Sequence, residues 1–333
     1  MNEKIYSSPQ DACTAAGVEF PRRGLIPGPW NVTAANDGKT WKQGAGRVRM
    51  FADGRGGVAW NWIQGTRSLW FDDADEKLTR AERAALLERA AAERRKWDEE
   101  RRRRWAEVAA FAVELVKQAA PVVEHPYLTR KHVKPVQGLF TMPAADVQGA
   151  FNRFYRLSPR TLMDKKTGRP MAGPVLLVPL YRGAAARALS SIEFISERGG
   201  KYALPEAQSK GSFWLPEAVR LSDHPVERMG VAEGLATALS ISQVLGFPCA
   251  AARSCNNLMS VSTTLRNRYP NARLEVCGDC GPGSKDAADA ALAVRGCVRI
   301  PSFDTDLMVR FKNLTGGEKP TDWNDFFVAK EVL

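Results

Sequence analysis

The chain has 333 residues, 44% hydrophobic and 26% charged. At ~150 residues per domain this length predicts about two domains, and the balance excludes a collagenous, mucin-like or wholly disordered chain. Lys and Arg number 48 against 37 Asp and Glu, a formal charge of +11 that suits a polyanionic partner, because each cation set on a phosphate releases condensed counterions.

Residues 1–75 are rich in Gly and Trp, and residues 48–71 read as strands with turns at Asp53-Gly54 and Gly56-Gly57. Trp60, Trp62 and Trp70 beside Arg47, Arg49, Arg55 and Arg67 have the chemistry to stack bases. The competing reading, favoured slightly, makes them the core of a small β unit that needs large side chains. From residue 78 to about 118 the texture turns to Ala, Glu, Arg and Leu without Gly or Pro, which predicts one long helix. Thr79 with Glu82 has the spacing of a capping box. Charge on nearly every face reads as a solvated helix laced with ion pairs, in preference to Arg101 to Arg104 reaching phosphates.

Pro121 ends the helix. Residues 121–225 form a basic, strand-rich region that includes 175–183, 188–205 and 211–219 as strands. From Met229 the chain alternates strand, helix, strand, helix to about residue 300, which implies a small parallel α/β sheet in the region 226–333. No run reaches the ~18 apolar residues of a membrane span. The first residues lack a basic stretch leading into an apolar one, so the expected location is cytoplasmic, with no membrane partner.

In open parallel sheets, ligands sit beyond the carboxyl ends of the strands. Glu233 and Asp279 stand at two such ends, and paired hard oxygen donors suit Mg²⁺ or Mn²⁺. Asp322 and Asp325 add a further acidic cluster. The six cysteines include a lone CxxC, Cys277 and Cys280. With only three His, all distant in sequence, a zinc site lacks ligands, and buried strand residues are the expected use.

Glu233-Gly234, Ala236-Thr237-Ala238, Asn257-Leu258, Asp279 and the closing Asp322-Trp323-Asn324-Asp325 follow one another in the order and spacing of a known pattern. This pattern resembles the TOPRIM domain of plasmid- and phage-borne DNA primases of the conjugation-primase type. Upstream, HPYLTRKHV (125–133) resembles the opening of those primase cores. The fold implied is α/β: a TOPRIM-type small parallel sheet flanked by helices, preceded by a mixed α+β half of the primase core and the long charged helix. The function implied is synthesis of short RNA primers on single-stranded DNA from ribonucleoside triphosphates, with Mg²⁺ or Mn²⁺, for replication of a mobile element. The resemblance assigns catalysis to Glu233 and Asp279, and metal binding to Glu233, Asp279, Asp322 and Asp325. Lys201, Lys210, Arg253 and Asn257 are assigned to nucleotide and nucleic acid. No GxxxxGK[ST] loop occurs, so a replicative helicase partner would be a separate protein.

The chain departs from the pattern at one position. The family's Asp-x-Asp reads Asp279-Cys280-Gly281. A site short of one carboxylate draws a replacement from Asp286, Asp289, Asp322 or Asp325, or else leaves a degenerate TOPRIM protein that binds single-stranded DNA as a replication accessory.

Overall fold

The computed structural model describes residues 5–38, 40–72, 79–222, 224–281, 283–316 and 319–333. The chain divides into two compact units, Met1–Arg102 and Arg103–Leu333.

In the first unit, β1 (Ile5–Tyr6) and α1 (Pro9–Ala16) precede four longer strands: β2 (Asn31–Asn36), β3 (Trp41–Met50), β4 (Gly56–Asn61) and β5 (Arg67–Phe71). They form one sheet in the order β1-β5-β4-β3-β2. Side chains alternate across it. On one face Val48, Ala59 and Trp70 pack against Ala12, Cys13 and Ala16 of α1. On the other, Val58, Leu69 and Phe71 meet Leu86 and Ala90 of α2 (Arg80–Gln118). The tryptophans therefore divide: Trp70 is fully buried, Trp60 is half-buried and Trp62 is exposed. Asp53-Gly54 makes the expected turn, with Gly54 at a φ of 73°. Gly56 and Gly57 instead lie in β4, because β4 passes directly beneath Trp70. A Cβ on Gly57 would stand 2.2 Å from the Trp70 ring, so only glycine lets the strand pass.

The long helix begins on its cap: Thr79 Oγ1 accepts the Glu82 N–H at 3.2 Å, and Glu82 Oε2 accepts the Thr79 N–H at 2.8 Å. Residue 78 and the expected boundary at 75–76 lie outside the described residues. The partition between the units falls inside α2.

The second unit holds two sheets. The first is antiparallel, built from β6 (Ala120–Pro121), β7 (Phe140–Pro143), β10 (Pro174–Arg182), β11 (Ala188–Ile195) and β12 (Lys201–Ala203). Helix α3 (Pro126–Arg130), helix α4 (Ala144–Phe154) and the hairpin β8 (Met163–Asp164) with β9 (Arg169–Pro170) connect its strands. After the short α5 (Glu217–Arg220), the chain enters a strictly alternating region. Its elements are β13 (Arg228–Ala232), α6 (Leu235–Leu245), β14 (Cys249–Ala251), α7 (Cys255–Arg268), β15 (Arg273–Cys277), α8 (Gly283–Ala293) and β16 (Cys297–Arg299). The strands pair in parallel in the order β14-β13-β15-β16, with the doubly wound reversal beside β13. Helices α9 (Thr305–Thr315) and α10 (Trp323–Ala329) close the chain. This is the small parallel sheet flanked by helices that the alternation predicts.

Residues 211–219 do not form a ladder strand. Phe213 pairs singly with Tyr181 of β10 and Trp214 with Ala251 of β14, so the segment bridges the two sheets of the unit. Cys277 is a buried strand residue whose thiol burial pushes up to about 12. Cys280 is half-buried, and its thiol donates to the Pro301 carbonyl at 3.0 Å. Among the described residues no helix is long and apolar enough to cross a membrane.

Replacing Gly57 with Ala should lower the urea midpoint of the first unit, at a cost of roughly 1–3 kcal/mol for overpacking against a ring with no room to move. Tryptophan fluorescence follows the transition, and an unchanged midpoint contradicts the packing described.

Candidate active site

Strand β13 lies beside β15 in parallel register, with Ala232 opposite Cys277. Each strand stops there, so Glu233 and Asp279 emerge side by side at the carboxyl edge of the sheet. Both line one cleft of about 220 Å³, and Asp322, the N-cap of α10, lines it as well. The facing wall is cationic: Arg130, Lys131, Lys166, Arg198 and Lys201.

Crowding three carboxylates together shapes their acidity. Burial, then the neighbouring Asp322 and Glu233, push the Asp279 carboxyl up to about 7, although Lys201 opposes them. Burial also raises Glu233, partly offset by Lys201 and by a hydrogen bond from the Cys255 backbone N–H. Asp322 is raised by burial and by Asp325. Burial alone would depress the Lys201 ammonium, but Tyr127, Glu193, Glu233 and Asp322 outweigh it and hold the group above its ordinary value.

Four residues singled out in the sequence lie elsewhere. Asp325 is spent on structure: its Oδ2 accepts the Thr321 N–H at 2.9 Å and its Oδ1 pairs with Lys131 at 3.2 Å. Lys210 is exposed and is not among the residues lining the cleft. Arg253 pairs with Glu193 at 3.4 Å. Asn257 is buried and clamps a turn, accepting the Gly211 N–H at 2.7 Å and donating to the Ser212 and Ala252 carbonyls at 2.8 Å. Its spacing thus carries a folding requirement. No spacing marks Arg130 and Lys131 as cleft residues, although both stand inside the HPYLTRKHV segment. Lys166 and Arg198 lie in loops and carry no spacing signal at all.

Gly281 has a backbone reason. Its φ is 120°, a conformation that L side chains rarely adopt, and its carbonyl accepts both the Ser284 N–H at 3.0 Å and the Ser284 hydroxyl at 2.7 Å. A side chain would find open space there, so the obstacle is conformation and not room.

The donor set can be tested against a hard divalent cation. Asp279 Oδ1 is buried without a hydrogen-bond partner, the kind of orphan that a cation satisfies. Among the described residues no three His, Cys, Asp or Glu side chains converge tightly enough to enclose an ion. The orphaned Asp279 oxygen suits Mg²⁺ or Mn²⁺, which takes one or two carboxylates and leaves the other positions to water and phosphate.

Residues 228–331 match the family described as the Toprim domain. A stretch of 124 residues is 28% identical to DNA primase TraC of Escherichia coli, covering 34% of this chain and 12% of that protein. The chain therefore spans about an eighth of that relative. Among solved structures, it is similar to the DnaG primase catalytic domain bound to ssDNA, at 13% identity and a TM-score of 0.42, over 69% of this chain and 76% of the other. It is also similar to the primase fragment of the bacteriophage T7 primase-helicase protein, at 12% identity and a TM-score of 0.34, over 47% and 58%.

A carboxyl raised from 3.8 to about 7 contributes stability that is fully present below pH 4 and is lost as pH rises through 7. Metal-free Asp279→Asn protein should therefore melt higher than the parent at pH 8, and the two should converge by pH 4. At this domain size, each kcal/mol moves the melting temperature by about 2–4 °C. A variant that melts lower at pH 8 contradicts the crowding described.

Proposed function

We propose that this chain is a DNA primase, whose Toprim domain at 228–331 joins ribonucleotides into short RNA primers on a single-stranded DNA template. The observation that carries this reading is the cleft itself. Glu233 and Asp279 open at adjacent strand ends and face a cationic wall. That pairing of acid and base suits nucleotidyl transfer, which demands positioning and charge neutralisation more than covalent help. The similarity to DNA primase TraC supports the same reading.

Asp279 and Glu233, with Asp322 beside them, would hold Mg²⁺ or Mn²⁺, and the bound ion would supply charge neutralisation at the transferring phosphate. Asp279, its carboxyl raised to about 7, would yield any proton it carries to a bound cation. Lys166, Arg198 and Lys201 align the polyphosphate along their wall. Lys131 is committed to Asp325 and holds the wall together. Glu233, half-buried and raised, is the group suited to accept the proton of the attacking 3′-hydroxyl. Template affinity draws on the excess of Lys and Arg, so it should fall steeply with salt. The reading carries with it a cytoplasmic location and a replicative helicase as partner.

Gly281 favours one competing reading: a Toprim protein that has lost catalysis and binds single-stranded DNA as an accessory. Primer synthesis separates the two. Purified protein with Mg²⁺ or Mn²⁺, ribonucleotides and single-stranded DNA should make oligoribonucleotides. Asp279→Ala and Glu233→Gln should each reduce the yield by about 10²-fold or more. Gly281→Asp should bring no gain, because its backbone conformation excludes the substitution without strain. Product from the Gly281→Asp variant alone would establish the accessory reading.

A further inference from the structure

The sheet of the first unit carries a row of side chains that neither its core nor the cleft uses. Arg47 of β3, Trp60 of β4 and Arg67 of β5 stand directly opposite one another on one sheet face. Helix α2 covers the next row, Arg49, Val58 and Leu69, through Leu86, Ala90 and Trp97. It leaves the Arg47–Trp60–Arg67 row at the margin, where Trp60 is half-buried and Trp62 is 57% exposed.

Four indoles run together along this margin. Trp97 lies 6.1 Å from Trp30, Trp30 lies 6.4 Å from Trp60, and Trp60 lies 5.1 Å from Trp62, centroid to centroid. Guanidinium groups already rest on the same rings: Arg49 over Trp97 at 5.2 Å, Arg67 over Trp60 at 5.7 Å and Arg47 over Trp62 at 5.0 Å. Trp30, Trp60 and Trp97 with Arg49 and Arg67 wall a cavity of about 140 Å³. A cavity of similar size, ~150 Å³, takes up benzene, so one flat ring fits.

The charges differ along the row. Glu100, Glu93 and Asp98 compensate Arg49, while Asp98 also pairs with Arg101 at 2.7 Å. Arg47 is held by neutral groups instead, donating to the Gly44 carbonyl at 2.6 Å and the Gly46 carbonyl at 2.9 Å. Residues 20–71 contain eight Lys and Arg against two Asp. An anion is thus drawn to the outer end of the row, beside the exposed indole.

We propose that this face binds single-stranded DNA, its bases stacking on Trp62 and Trp60 and its phosphates meeting Arg47. Aromatic faces interleaved with cations are the chemistry that holds unpaired bases without regard to sequence. An acidic peptide would satisfy Arg47 but would leave the contiguous indole faces unused. The site shares no residue with the carboxylate cleft, and binding here does not depend on primer synthesis.

The test uses the full chain without nucleotides or divalent metal. Fluorescence anisotropy compares a labelled oligothymidylate with an abasic oligomer of equal length and charge. Trp62→Ala should weaken oligothymidylate binding about fivefold or more, with Trp62→Phe restoring most of it. Abasic binding should be weaker and indifferent to both changes. Trp62 is exposed, so circular dichroism should be unaltered. Photocrosslinking with 5-iodouracil DNA should mark the tryptic peptide 56–67, which holds Trp60 and Trp62. Equal affinity of parent and Trp62→Ala protein, equal binding of the abasic oligomer, or crosslinks confined to residues 103–333 would each overturn the proposal. Failed primer synthesis would overturn the primase reading and leave this binding result intact.

Discussion

Like charges forced together at the carboxyl edge of one parallel sheet govern the second unit. Glu233, Asp279 and Asp322 each lose hydration, Asp322 and Glu233 make ionisation of Asp279 harder, and Asp322 does the same to Glu233. Lys201, Lys131 and the Cys255 backbone N–H relieve only part of this. A folded chain keeps such an arrangement at a loss of stability. Under the function proposed above, a bound cation would supply the missing charge.

The cleft is held by polar groups buried around it. Asp322 caps α10 by accepting the Asp325 N–H at 2.9 Å, and Asp325 returns the favour to Thr321 at the same distance. Between them Asn324 donates to the Lys131 carbonyl at 2.6 Å and to the Ser240 hydroxyl at 2.8 Å. That amide joins α10 to the end of α3 and to α6, the helix that follows Glu233. His125 caps α3 in turn, its Nδ1 accepting the Tyr127 N–H at 3.2 Å. The elements that carry the acids and those that carry Arg130 and Lys131 are thus pinned to each other by interactions worth more jointly than singly.

The sequence made the alternating half of the chain plain, because Gly stops, helix caps and apolar strands agree there. Strand ends β13 and β15 with their acids followed from that alternation alone. Side-chain roles were harder to read. Asn257 and Asp325 belong to the recognisable pattern, yet their hydrogen bonds are internal, and spacing cannot tell a clamp from a ligand. Lys166 and Arg198 reach the cleft from loops whose path no periodicity encodes. The reading of 211–219 as a strand failed because its two pairings are isolated bridges fixed by tertiary packing. Composition alone cannot divide the tryptophans into core and surface, because the register of β4 with β3 and β5 is what separates the buried Trp70 from Trp60 and Trp62.

The most direct measurement is Mn²⁺ binding to the purified chain, followed by electron paramagnetic resonance of the free ion. Saturable binding is expected in the parent and in Asp289→Asn, whose carboxylate pairs with Lys285 on the exposed side of α8. It should be lost in Asp279→Asn and strongly weakened in Glu233→Gln. Unchanged Mn²⁺ affinity in both of these variants would contradict the account at its root.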